Sequence, residues 1–126
     1  LARDEVVVMD MEAGIEHLGR ATSGFVDSLL IVLEPGKRSI DTARKIRELA
    51  ADIRLQKLAA VGNKIRSPEE EAFIRENLDG IPLLGCIPYE DTIIRADMES
   101  RPPFEDAADL VKLADGIVEQ LLSGER

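Results

Sequence analysis

Asp10 closes a run of four apolar residues, Val6 to Met9, and opens the segment Met11-Glu12-Ala13-Gly14-Ile15-Glu16. A carboxylate at the tip of a buried strand is costly to keep ionised unless a cation or hydrogen-bond donors meet it, and a magnesium-nucleotide supplies both. That is the task of a Walker B aspartate; the alternative at this position is an aspartate that caps the next helix. Gly14 lets backbone approach a phosphate closely. A second group, Gly62-Asn63-Lys64, follows the apolar run Leu58 to Val61. There an amide and a lysine can hold a nucleobase, Asn63 hydrogen-bonding its edge and the Lys64 stem packing over its face. The same tripeptide also suits a plain Asn turn. A third group is Ile87-Pro88-Tyr89-Glu90-Asp91, where Pro88 fixes a turn and Tyr89 offers an aromatic wall to a flat base or a cap to the core.

The residue types also say which chemistry to expect. Guanine readers of this kind carry an aspartate two positions after the lysine, whereas this chain has Arg66, which only donates. Adenine is therefore the expected base. No Gly-x-x-x-x-Gly-Lys-Ser/Thr segment is present, so nothing cradles a triphosphate and the chain by itself is not expected to hydrolyse ATP. His17 has no second histidine near it and reads as a helix-surface residue. Cys86, between Gly85 and Ile87, reads as a small buried hydrophobe in a central strand. One cysteine and one histidine do not make a nickel or zinc site, and carboxylates alone suit magnesium or calcium better. No metal ligand is assigned within the chain.

These groups need a scaffold, and 126 residues, 44% hydrophobic and 33% charged, supply one ordinary globular domain. Sixteen Lys and Arg against 25 Asp and Glu leave a formal charge of -9, which repels phosphate backbones and anionic lipid. Neither nucleic acid nor a membrane surface is an expected partner. No apolar run approaches the roughly 20 residues a membrane helix needs, and the lone cysteine forbids an internal disulfide. A soluble, cytoplasmic protein is expected. The opening Leu-Ala-Arg-Asp-Glu, leading at once into a strand-like run, places the natural start upstream of Leu1.

Four short apolar runs read as strands buried on both faces: Val6 to Met9, Leu29 to Leu33, Leu58 to Val61 and Leu83 to Ile87. Between them, Ile40, Ala43, Ile46, Leu49, Ala50 and Ile53 recur at helical spacing from Ser39 to Ile53. Ser67-Pro68-Glu69-Glu70 is a helix start, with an N-cap hydroxyl, a proline at the first position and a glutamate three residues after the cap. A last helix is expected over about Phe104 to Leu122, its stripe running from Ala107 to Leu121. Short alternating strands and helices predict a doubly wound α/β sheet of mostly parallel strands. Ligands in such sheets bind beyond the carboxyl ends of the strands, where Asp10, Asn63, Lys64 and Pro88 to Glu90 would all lie.

The segment Asp10-Met11-Glu12-Ala13-Gly14-Ile15-Glu16-His17 resembles the switch segment of the MinD/ParA and nitrogenase iron-protein class of P-loop ATPases. Its wording is similar specifically to the CooC-type accessory ATPases that mature nickel-containing carbon monoxide dehydrogenase. Glu34-Pro35-x-x-Arg38-Ser39-Ile40-x-Thr42-Ala43, Gly62-Asn63-Lys64 and Ile87-Pro88-Tyr89 continue the match in order over nearly the whole chain. The resemblance implies a dimeric ATP-dependent metallochaperone, with this chain the C-terminal portion of a single P-loop NTPase domain and carbon monoxide dehydrogenase as client. It makes Asp10 the Walker B carboxylate acting on Mg2+ through water. It has Asn63 bond adenine of ATP or ADP, with Lys64, Pro88, Tyr89 and Glu90 enclosing the base. The segment Glu34 to Thr42 would face the partner subunit. The family's phosphate loop and its Cys-x-Cys nickel pair would precede Leu1. The phosphate-loop strand would then lie between the strand ending at Asp10 and the one ending at Glu34, leaving both edges unpaired without it. Two alternatives are a MinD/ParA-like positioning ATPase, which usually carries a membrane-targeting tail or a basic face, and a non-catalytic α/β regulatory or dimerisation domain.

Overall fold

The computed structural model describes residues 5–11, 26–105 and 107–124. Three strands, β1 (Leu29–Leu33), β2 (Leu58–Ile65) and β3 (Leu83–Pro88), pair in parallel in the order β1-β2-β3. Helix α1 (Lys37–Asp52) carries the chain from β1 to β2, and α2 (Pro68–Asn77) carries it from β2 to β3. After β3 come α3 (Asp91–Met98), a 3-10 turn at Pro103–Glu105 and α4 (Ala108–Gly124). The fold is α/β with a parallel sheet, as the alternation of short apolar and amphipathic runs predicts.

One face of the sheet is closed by the two crossover helices. Ile31 and Leu33 of β1 point to it, with Ala60 of β2, and meet Ala43 of α1 and Ile74 of α2 in one cluster completed by Leu78 and Ile81. Ile74 has no exposed surface. The start of α2 follows the sequence closely: Ser67 Oγ accepts from the Glu70 N–H at 3.3 Å, and the Glu70 carboxylate accepts from the Arg66 N–H at 2.7 Å. The Glu70 N–H, an orphan donor of the first turn, is thereby satisfied, and the Glu70 carboxylate reaches one residue further back than a capping box requires, to the residue before the N-cap. The turn after α2 is pinned to α1, with Arg44 Nε 3.0 Å from Asp79 Oδ2 and Arg47 bonded to the Asp79 carbonyl.

The opposite face is closed only in part. Val32, Val61 and Gly85 are register neighbours across the three strands. Helix α4 lies over the β3 end, so close at Gly85 that a Cβ there would stand 3.4 Å from Ile117 Cγ1, and Gln120 Nε2 donates to the Leu84 carbonyl at 2.8 Å. Val61 is 2% exposed, but Val32, one strand further out, is 60% exposed.

Several expectations are corrected. Val6 to Met9 is not a strand: residues 5–11 join no ladder and all four side chains are exposed, Val8 to 86%. A strand needs a neighbour for its N–H and C=O groups, and the described residues place none between this run and β1. Strand β2 does not stop at Val61 but runs on through Asn63 and Lys64 to Ile65. Cys86 stands on the outer strand of the described sheet, not a central one. Helix α3 was not expected. The last helix starts at Ala108 because Pro102 and Pro103 restrict the backbone before it and settle into a 3-10 turn.

Helices α1 and α3 end alike, on a left-handed residue that is not glycine. Arg54 (φ 62°) and Ser100 (φ 55°) let the next residue reach back, Leu55 N–H to the Ala50 carbonyl and Arg101 N–H to the Ala96 carbonyl, each at 2.8 Å. These are Schellman closures.

Candidate functional site

The carboxyl end of β2 carries an irregularity that shapes the site. Gly62 pairs with Cys86 and Ile65 with Pro88, so three steps along β2 match two along β3. One extra residue has been taken up, and Lys64 adopts the left-handed region at φ 55°. For a residue with a Cβ that conformation costs about 1 kcal/mol or more, and such strain is held where the surroundings impose it. The bulge also resets the alternation of side chains. Residues an odd number apart ordinarily face opposite sides of a sheet, yet Gly62 and Ile65 face the same side. Ile65 Cδ1 lies 3.4 Å from where a Gly62 Cβ would stand. Ile65 thus returns to the core, while Asn63 is left half-buried and Lys64 exposed.

Gly62 makes the close packing possible. A Cβ there would lie 3.0 Å from Cys86 Sγ and 3.3 Å from Ile74 Cδ1, so only glycine lets α2 sit this near β2. Past the bulge the strands stay zipped, with the Tyr89 N–H donating to the Ile65 carbonyl at 2.9 Å. The residues that follow on the two strands, Arg66 and Tyr89, are therefore side by side. The Arg66 guanidinium lies over the Tyr89 ring, 4.5 Å from its centroid. Lys64 Nζ meets Glu34 Oε1 at 2.9 Å, bridging the ends of β1 and β2, and the Glu34 N–H donates to Ser39 Oγ at 3.3 Å. Glu90 is the N-cap residue of α3, its carboxylate accepting from the Thr92 hydroxyl at 3.3 Å.

Asn63, Lys64, Pro88, Tyr89 and Glu90 thus come together at the carboxyl ends of two neighbouring strands, where the sequence places them. Among the described residues the Asn63 side-chain amide has no hydrogen-bond partner, so a half-buried donor and acceptor pair is available to a base edge, which fits adenine. Asp10 is not brought to this place. It lies exposed in residues 5–11, outside the sheet, and Gly14 lies outside the described residues. No three His, Cys, Asp or Glu side chains converge among the described residues. The Cys86 thiol is pushed above its ordinary pKa by burial first and by the Glu71 carboxylate second. A thiol so held is a poor nucleophile.

Two contributors escaped the sequence. Glu34 carried no visible relation to Lys64, thirty positions on, until β1 and β2 were in register. Arg66 was legible as a missing acceptor but not as the neighbour of Tyr89. A crevice of about 360 Å3 opens beside the site between the β1–α1 loop and the start of α2, lined by Pro35, Gly36, Ser67, Glu69, Glu70 and Phe73. Its two glutamates repel a phosphate, so it does not extend the base end towards an anion.

No protein-family model matches the chain. An uncharacterized ATP-binding protein of Methanocaldococcus jannaschii is 44% identical over 105 residues, which cover 81% of this chain and 40% of that protein. The carbon monoxide dehydrogenase accessory protein CooC of Rhodospirillum rubrum is 47% identical over 95 residues, 75% of this chain and 36% of that protein. A second uncharacterized ATP-binding protein of M. jannaschii is 36% identical over 107 residues, 81% and 42% of the two chains. The chain is similar to about two fifths of each of these relatives, and all of the matches named here are to ATP-binding or CooC accessory proteins. No helix among the described residues is long and apolar enough to cross a membrane.

Proposed function

We propose, from its homology to CooC and to ATP-binding proteins, that this chain is the C-terminal part of an ATP-hydrolysing accessory protein that, as a homodimer, assists nickel insertion into carbon monoxide dehydrogenase. The observation that carries the reading is the joint placement of Asn63 and Lys64, at the bulged end of β2, with Pro88 to Glu90 at the end of β3. Asn63 offers an amide that both donates and accepts, the complement of adenine's amino group and adjacent ring nitrogen. The Lys64 stem and the Pro88 to Glu90 loop flank the base. Guanine finds no acceptor for its amino and ring N–H groups at Arg66, which only donates. In this reading contact with Mg2+ and the phosphates of ATP or ADP falls to Asp10 and Gly14. Nickel would be carried by residues upstream of Leu1, because this chain offers one cysteine and one histidine.

The test uses the full-length protein. Asn63→Ala is expected to weaken ADP binding in calorimetry by roughly fivefold or more, the cost of one lost hydrogen bond at a half-buried site. Unchanged affinity would remove Asn63 from the site, and a wild-type protein that binds no adenine nucleotide would end the reading. Equilibrium dialysis with nickel addresses the metal half separately: stoichiometric binding per dimer supports a metallochaperone, and its absence leaves an ATPase of another purpose.

A further inference from the structure

We infer that Arg66 and Tyr89 form one composite stacking shelf for the purine ring, with Arg66 acting through the flat face of its guanidinium and not through its N–H edge. The inference rests on the adenine-nucleotide reading above and adds to it a positioning residue that the Asn63-Lys64 pattern does not contain. Three features fix the shelf. The pairing of Ile65 with Pro88 and the Tyr89 N–H bond to the Ile65 carbonyl set the two residues side by side just past the sheet. The backbone of Arg66 is held by the Glu70 carboxylate at 2.7 Å, within the cap that starts α2. The guanidinium then lies 4.5 Å from the Tyr89 centroid, covering one ring face.

A guanidinium is planar, weakly hydrated along its faces and stacks readily on aromatic rings. Arg66 is exposed as well as set over Tyr89, and Asn63 and Lys64 stand three and two residues before it at the same strand end. A planar heterocycle resting there would have its edge toward Asn63. Stacking is tolerant of base identity, because every base has a π-face. The shelf therefore supplies affinity, and discrimination between purines falls to Asn63 and to the lack of an acceptor. It also explains why an exposed arginine stands beside an exposed tyrosine in a chain with only one tyrosine.

The experiment is calorimetry of ADP with the full-length protein and four variants. Arg66→Ala is expected to weaken binding roughly tenfold, the scale of losing one stacking partner. Arg66→Lys keeps the charge but not the plane, and should restore little of that loss. Tyr89→Phe should bind as wild type does, because the ring and not the hydroxyl is used, whereas Tyr89→Leu should lose as much as Arg66→Ala. A purely electrostatic role for Arg66 would instead be shown by full rescue in Arg66→Lys. Tighter ADP binding in Arg66→Ala would mean that the guanidinium occupies the place of the base, and either result overturns the shelf. Unchanged affinity in Arg66→Ala, with ADP bound by the wild type, removes the shelf and leaves the adenine reading standing. A wild-type protein that binds no ADP overturns both.

Discussion

The ends of β2 and β3 and the segment around Asp10 are both places where the sequence puts nucleotide chemistry, and they are built to very different degrees. At the first, Asn63 to Arg66 and Pro88 to Glu90 are held by strand pairing, a bulge, a helix cap and the Tyr89 to Ile65 hydrogen bond. At the second, Asp10 ends four exposed apolar residues that belong to no sheet. The difference lies in what each needs from the rest of a chain. The base end closes with contacts between elements that follow one another, β2, α2 and β3, so right-handed crossovers of short length suffice. A strand carrying Asp10 needs a hydrogen-bonded partner on its flank, and β1 is itself an edge strand of the described sheet.

The largest effect that could break this contrast is catalytic. The 126-residue chain should release no phosphate from ATP above the buffer rate, and Asp10→Ala should change nothing in it. In the full-length protein the same substitution should abolish turnover. Hydrolysis by the short chain that survives purification and is lost in Asp10→Ala would show that the segment is assembled after all.

Next in size is a change at the base end itself. Gly62→Ala sets a methyl group 3.0 Å from Cys86 Sγ and 3.3 Å from Ile74 Cδ1, so α2 or β3 must move. Urea unfolding of the full-length protein should show a loss of about 1–3 kcal/mol, the usual cost of overpacking. ADP affinity should fall with it, since Arg66 and Asn63 flank the displaced segment. A neutral Gly62→Ala would mean that the packing between β2 and α2 is not what holds the site.

A smaller effect concerns Cys86, which lies between these elements. Burial and Glu71 raise its pKa, so at pH 8 it should react with iodoacetamide more slowly than a free thiol. Glu71→Gln removes the charge that favours the protonated form and should speed the reaction, by about twofold to fivefold for a partly exposed pair. Faster alkylation in the wild type than in the variant would reverse the sign and contradict the placement of Glu71. The smallest effect separates stability from binding at Lys64. Its φ of 55° suits glycine, so Lys64→Gly should stabilise by about 0.5 kcal/mol despite the loss of an exposed ion pair with Glu34. It should nonetheless weaken ADP, because the stem over the base is gone.

What could be read beforehand follows the same division. Strand β1 and the start of α2 were legible to the residue, because Leu29 to Leu33 is bounded by Glu34-Pro35-Gly36 and Ser67-Pro68-Glu69-Glu70 spells out its own cap. Asn63, Lys64 and Tyr89 were legible as candidates from residue type and position after a strand. The bulge was not, since Lys64 looks like any residue past the end of Leu58 to Val61 until Ile65 is seen paired with Pro88. Helix α3 was hidden by its eight-residue length, too short for a periodic stripe to declare itself. The run Val6 to Met9 was misread because four apolar residues state a preference for burial, whereas a strand is decided by whether a neighbour stands beside it.

The central claim is that the carboxyl ends of β2 and β3 read adenine, and calorimetry of ADP against GDP on the full-length protein tests it most directly. Guanine at this site finds no acceptor for its amino and ring N–H groups, since Arg66 stands where guanine readers of this kind carry an aspartate, at a cost on the order of 1–3 kcal/mol. ADP should therefore bind roughly tenfold or more tightly than GDP. Equal affinity for the two nucleotides would contradict the account.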